Sequence, residues 1–181
     1  DLVPQIIEHK LVKAVTLTGS TPAGSAVAST AGRSLKKTVL ELGGSDPYVV
    51  LEDADLQHAA EQCAKSRLIN NGQSCIAAKR FIVVDAVYEE FVKLFVAEMD
   101  KAIMGDPQDT ATTLGPLARR DLRDDVHIQV IESVAKGAKV VGERLDGGVH
   151  ILDVVGLTGL QGHQRLELGF FAQEVALQFN L

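Results

Sequence analysis

Apolar positions in this chain change their period several times, and each change marks an element. Within residues 1–13, Ile6, Ile7, Leu11 and Val12 recur at a helix-compatible spacing. Val15-Thr16-Leu17-Thr18 then reads as a short β-branched strand, and the small, Ala-rich run 22–31 as a helix that accepts Pro22 in its first turn. Two more strands are predicted at 38–42 and 48–51, followed by a helix over 55–70 with Asp53 or Asp55 as its N-cap. A short run at 76–79 is expected to start a helix and pass into a strand ending at Val84. Residues 86–103 place Phe91, Leu94, Phe95 and Met99 on one stripe of a long amphipathic helix, which is a core face. A polar, threonine-rich loop over 105–115 leads to a helix at 121–136 and a strand at 138–141. Strands alternating with helices predict an α/β fold on a mostly parallel sheet.

A length of 181 residues suits one domain plus part of another. The chain is 46% hydrophobic, yet no apolar run approaches the roughly 20 residues that span a bilayer. Residues 1–13 alternate apolar and charged positions and lack the layout of a signal peptide. A formal charge of −6 argues against a nucleic-acid surface, and the basic pairs Lys36-Lys37 and Arg119-Arg120 read as solvated charge. Two cysteines, Cys63 and Cys75, suit a reducing, cytoplasmic setting better than a disulfide framework, with Cys63 inside the 55–70 helix as a core or half-buried residue. The histidines are scattered, no Cys/His cluster has ligand spacing, and no metal is expected. The acidic run at 52–55 is explained by helix capping.

Candidate chemistry centres on Asn71-Gly72-Gln73-Ser74-Cys75. Loop N–H groups and a helix start at 76 favour a thiolate there, which makes Cys75 a candidate nucleophile; the alternative is a small buried apolar residue. Glu41 closes the strand at 38–42 in an otherwise apolar setting, where its pKa should rise toward the range of a general base; the alternative is a strand-end carboxylate facing solvent. Thr18-Gly19-Ser20-Thr21-Pro22-Ala23-Gly24 is a strand, a turn and a helix start, an arrangement that cradles anions, or else a structural turn.

Taken together, Leu40-Glu41-Leu42-Gly43-Gly44, then Gly72-Gln73-Ser74-Cys75, with Thr18-Gly19-Ser20 and Gly24 ahead of both, resemble the aldehyde dehydrogenase superfamily in order and spacing. Gly105-Asp106-Pro107 and Leu114-Gly115-Pro116 look like later landmarks of that family. Leu42-Gly43-Gly44-Ser45-Asp46-Pro47 and Asp121-Leu122-Arg123 look most like its succinate-semialdehyde branch, although Ser45 stands where members often carry lysine. The resemblance runs from about Val12 to Gly148.

The resemblance implies the C-terminal part of a Rossmann-like nucleotide-binding domain over residues 1–43, joined to an α/β catalytic domain over 44–181, both truncated. It implies that Cys75 adds to an aldehyde carbonyl, that the Cys75 N–H supplies half of an oxyanion hole, and that Glu41 activates the hydrolytic water. Gly19 and Ser20 would approach the pyrophosphate of NAD or NADP, Gly24 would let the helix pack closely, and Leu42 would join them in the cofactor site. Beyond residue 149 the family pattern fades; Glu174 matches the glutamate that holds the nicotinamide ribose by its distance from Phe171, without the Phe-Gly-Pro that should follow. The chain thus reads as a central piece of such an enzyme: a truncated product, a damaged reading frame or a cut segment. Self-association through helices and sheet edges is expected of the family. Two further readings stay open, a cofactor-independent thiol esterase built on Cys75 and Glu41, and a non-catalytic assembly module.

Overall fold

The computed structural model describes residues 2–141, Val154–Leu157 and Leu166–Gly169, so the expectation for Glu174 lies outside the described residues. The chain divides into two compact units, Asp1–Gly44 and Ser45–Leu181.

The first unit runs through helix α1 (Val3–Glu8), strand β1 (Ala14–Thr18), helix α2 (Thr21–Arg33) and strand β2 (Lys37–Glu41). The two strands are parallel, in register from Ala14 opposite Lys37 to Thr18 opposite Glu41. Parallel neighbours need a crossover, and α2 supplies it, packing against both strands. A left-handed residue ends α2: Leu35 (φ 51°) donates its N–H to the Gly32 carbonyl while Lys36 donates to that of Ala31, each at 3.0 Å. Lys36 is not the solvated charge expected from its neighbour. Its Nζ donates to the carbonyls of Ile7 and, at 2.7 Å, His9, closing the C-terminal end of α1.

The second unit contains strand β3 (Pro47–Val50), helix α3 (Leu56–Leu68), strand β4 (Arg80–Val83), helices α4 (Tyr88–Met99) and α5 (Arg120–Ala135), and strands β5 (Lys139–Val141), β6 (Val154–Leu157) and β7 (Leu166–Gly169). Asp55 is the cap of α3, its Oδ1 accepting the His58 N–H at 3.0 Å. The sheet order is β3-β4-β7-β6-β5. β3 and β4 pair in parallel across α3, as the alternation of strand and helix predicts, whereas β4–β7, β7–β6 and β6–β5 are antiparallel.

One apolar core lies between this sheet and the packed pair α3 and α4. Phe81 of β4 meets Phe95 at a ring separation of 4.9 Å, and Phe91 stacks on Phe95 one turn away at 5.7 Å. Val50, Ala60, Cys63, Ala64 and Met99 complete it. Cys63 is the buried core residue expected, and burial pushes its thiol pKa up from 9.0 to about 11. α4 is shorter than the span 86–103, because beyond Met99 the chain turns into the 103–115 loop: the Ile103 N–H donates to Thr113 Oγ1 at 2.8 Å and Met104 bridges Leu114.

Candidate active site

Helix α3 buries one stripe, Ala60, Cys63, Ala64 and Arg67, at the i, i+3, i+4 and i+7 positions of a helical face. Its last member is a cation. Arg67 is only 1% exposed, and its Nη1 and Nη2 donate to the carbonyls of Ala78 (2.6 Å) and Gly72 (2.7 Å). Burial lowers the guanidinium pKa to about 10, which leaves it protonated at neutral pH. Burying a charge is costly unless it is hydrogen-bonded, and the two terminal nitrogens of this guanidinium bond backbone carbonyls of the loop that carries Cys75.

That loop leaves α3 through three consecutive left-handed residues, Asn70 (φ 51°), Asn71 (φ 55°) and Gly72 (φ 76°). Asn tolerates this region by bonding locally, and Asn70 does so, its Nδ2 donating to the Gln73 carbonyl at 3.1 Å. Gly72 is required on two counts: its φ is positive, and a Cβ there would lie 2.5 Å from Arg67 Nη2. Such strain persists only where the surroundings enforce it. Enforcement comes from the 103–118 segment, where the Gly115 N–H donates to Asn71 Oδ1 (3.0 Å) and the Ala118 N–H to Gln73 Oε1 (2.9 Å).

Cys75 follows on a turn closed by the Ala77 N–H on the Ser74 carbonyl at 3.1 Å, and it is exposed. No helix begins at 76–79; the expected helix start is replaced by this turn and an extended link into β4. The cause is Lys79, 4% exposed, whose Nζ donates to the carbonyls of Ser74 (2.9 Å), Cys75 (3.0 Å) and Ala77 (3.0 Å). These carbonyls converge on one amine, whereas the carbonyls of a helix all point along its axis. The next residue, Arg80, donates Nε to the Ser45 carbonyl at 2.8 Å and ties the start of β4 to the start of β3. Arg67 and Lys79 escape a reading by composition, which sets charged residues at the surface. The signals were there: Arg67 on the core stripe of α3, and Lys79-Arg80 beside the apolar strand at 81–83.

In the first unit, Gly19 and Ser20 are exposed between β1 and α2. Ser20 caps the helix, its Oγ accepting the Ala23 N–H at 3.4 Å. The Gly19 N–H donates to the Glu41 carbonyl at 3.0 Å, so it joins the ends of the two strands. Gly24 is buried against half-buried Leu42: an added Cβ would lie 2.7 Å from Leu42 Cδ2 and 2.8 Å from Cδ1. The helix start and the segment after β2 therefore meet closely because residue 24 has no side chain, leaving a low-profile turn at a helix N-terminus that fits a phosphate-bearing ligand. Glu41 does not have the apolar setting expected of it. Strand alternation turns Thr38 and Leu40 inward and leaves Lys37, Val39 and Glu41 exposed.

Residues 1–151 match the aldehyde dehydrogenase family model. The chain belongs to the aldehyde dehydrogenase family. Among its family relatives, the NAD(P)+ succinate semialdehyde dehydrogenase of Escherichia coli is 48% identical over 149 residues, 81% of this chain and 32% of that protein. The NADP(+) succinate-semialdehyde dehydrogenase of Mycobacterium avium is 51% identical over 147 residues, covering 80% of this chain and 31% of that protein. The succinic semialdehyde dehydrogenase of Streptococcus pyogenes, solved with NADP+, superposes with a TM-score of 0.76 at 42% identity, over 81% of this chain and 32% of that one. This family member spans about a third of the length of the curated relatives it matches. No helix among its described residues is long and apolar enough to cross a membrane.

Proposed function

We propose that this chain carries the thiol centre and part of the nucleotide site of an NAD(P)-dependent aldehyde dehydrogenase that oxidises a small aldehyde, succinate semialdehyde in the first instance, to its acid. The observation that carries the reading is the Cys75 loop: an exposed thiol on a turn held from beneath by two buried cations and preceded by three left-handed residues. Rigid, strained loops of this kind are where proteins fix reactive groups. The succinate-semialdehyde dehydrogenase relatives, at about half identity, support the substrate.

In this mechanism Cys75 attacks the aldehyde carbonyl as a thiolate, and the carbonyl oxygen takes up the negative charge beside the Cys75 N–H. The nicotinamide, when bound, supplies the hydride acceptor. Gly19 and Ser20 would hold its pyrophosphate at the start of α2, where Gly24 and Leu42 pack closely, and Glu174 would hold the ribose. Cys75 retains the acyl group as a thioester. Glu41 takes a proton from water, which adds to the thioester carbonyl and releases the acid and the Cys75 thiolate. The cytoplasm and a self-associated state belong to the same proposal; two unpaired cysteines suit the first, and exposed Leu2, Ile6, Ile128 and Ile131 suit the second.

The test is NAD(P)H production from succinate semialdehyde by the purified chain. Cys75→Ala is expected to abolish it, and Glu41→Gln to lower steady-state turnover by about 10²-fold while thioester accumulates on Cys75. Turnover unaffected by Cys75→Ala would sink the assignment.

The thiol esterase remains a second reading, favoured by one observation. Cys75, its turn and both buried cations lie within the second unit alone, so the acylation half of that reaction is drawn from one unit, whereas Glu41, its base for deacylation, belongs to the first.

A further inference from the structure

Lys79, beneath the Cys75 loop, does more than fill space. A peptide unit is planar, and in its trans form the carbonyl of one residue and the N–H of the next point in opposite directions. None of the described peptide bonds is cis. The Ser74 carbonyl is turned inward onto Lys79 Nζ at 2.9 Å, so the N–H of the same peptide, that of Cys75, is turned outward. The Cys75 carbonyl is likewise bonded to Lys79, at 3.0 Å, so the Ile76 N–H also faces away from the buried amine.

Exposure agrees with this polarity. Lys79 is buried, whereas Cys75 is exposed and Ile76 is 61% exposed. Neither the Cys75 N–H nor the Ile76 N–H donates to an acceptor among the described residues. One buried side chain thus fixes the orientation of two consecutive peptide dipoles beside the thiol. Arg67 holds the ends of the same loop, at Gly72 and Ala78, and leaves these two peptides to Lys79.

We propose that Lys79 is a positioning residue for acyl transfer, acting through the Ser74–Cys75 and Cys75–Ile76 peptides to present their N–H groups to the oxyanion that forms when Cys75 attacks a carbonyl. The inference rests on the reading of Cys75 as nucleophile. It concerns only the addition step: the thiolate forms an S–C bond, the carbonyl π pair moves onto oxygen, and the outward N–H groups receive that charge. No proton passes through Lys79, and the step needs no nucleotide.

Two reagents separate this role from mere support of the loop. p-Nitrophenyl acetate acylates Cys75 through an oxyanion, which collapses to the thioester and expels p-nitrophenolate. Iodoacetamide alkylates the same sulfur by direct displacement of iodide and forms no oxyanion. Lys79→Met keeps the apolar stem and removes the three donors. It is expected to slow the Cys75-dependent nitrophenolate burst by about 10- to 100-fold, part of the 10²–10³ that loss of one oxyanion donor costs. Alkylation by iodoacetamide should stay within about threefold, because the sulfur and its access are unchanged.

An equal fall in both rates, or no fall in either, overturns the proposal. A burst that survives in Cys75→Ala overturns the nucleophile reading beneath it, and a burst that needs Cys75 but not Lys79 overturns this inference alone. Should Lys79→Met not fold, amide hydrogen exchange on the native chain decides. The Cys75 amide is expected to exchange at nearly the rate of an unprotected peptide, and protection beyond about 100-fold, the mark of an inward-bonded N–H, would overturn the orientation argued here.

Discussion

Gly72 is the residue on which the Cys75 loop turns, and two independent facts fix its identity. Its φ of +76° is open to glycine, and a Cβ at that position would lie 2.5 Å from Arg67 Nη2. The arginine cannot retreat without abandoning the carbonyls of Gly72 and Ala78, at 2.7 and 2.6 Å. Gly72→Ala is therefore expected to destabilise the second unit by about 2–4 kcal/mol, from left-handed strain and a disturbed buried cation together. Urea unfolding measures it, and a cost below about 0.5 kcal/mol would show that the loop relaxes freely. Cys63 supplies a pH-dependent counterpart. Its folded pKa, about 11, stands above the ordinary 9.0, so the thiol stays neutral in the fold while the unfolded chain ionises. The stability it confers is complete below pH 9 and is lost as pH rises toward 11. Between pH 8 and 10.5 the native chain should lose about 2 kcal/mol relative to Cys63→Ala, whose curve lacks this contribution. Parallel curves for the two proteins would show that Cys63 is solvated in the fold.

At the scale of elements, the two helices α2 and α5 end in the same hydrogen-bond pattern with different residues. After α5, Gly137 (φ 101°) donates to the Val134 carbonyl and Ala138 to that of Ser133, each at 3.0 Å. After α2 the equivalent position is Leu35, at φ 51° and 96% exposed, so its side chain gains nothing from packing to offset the left-handed backbone. Leu35→Gly should raise the stability of the first unit by about 0.5–1 kcal/mol, the strain relieved being partly cancelled by the greater freedom of glycine in the unfolded chain. A lower thermal midpoint in the variant would refute this. Elements were the legible part of the sequence because period and capping are local: Asp55, the β-branched runs and the aromatic stripe of α4 each signal from a few residues. What local pattern misses is a buried side chain that captures main-chain carbonyls. Ile76-Ala77-Ala78-Lys79 has good helical propensity, yet Lys79 binds three carbonyls of its own turn and Arg67, a helical turn before the loop, binds the Ala78 carbonyl beyond it. The exposure of Glu41 has the opposite origin: strand alternation sets it, and the apolar residues beside it in sequence face the other way.

Across the whole molecule, the chemistry expected of the family is divided between the two units. The nucleotide turn, Gly24, Leu42 and Glu41 lie in Asp1–Gly44; Cys75 and its supports lie in Ser45–Leu181. The motifs for both are readable because each is a short run of residues, whereas the packing around each within its own unit required the structure. This division makes the two halves of the proposed reaction separable by mutation. Gly24→Val places branched carbon where a single Cβ would already stand 2.7 and 2.8 Å from the Leu42 methyl groups, on a helix that packs against both strands of its sheet. Over-packing of that kind costs roughly 1–3 kcal/mol, and the strain falls on the turn that would receive the pyrophosphate. Calorimetric titration with NADP should show affinity weakened by about tenfold or more, since each 1.4 kcal/mol is a factor of ten. The Cys75-dependent burst with p-nitrophenyl acetate should meanwhile stay within about twofold of the native rate, because every bond described for the Cys75 loop comes from residues of the second unit. A burst that falls in step with nucleotide affinity would mean that the thiol centre requires an intact first unit, and the two halves of the reaction would not be separable.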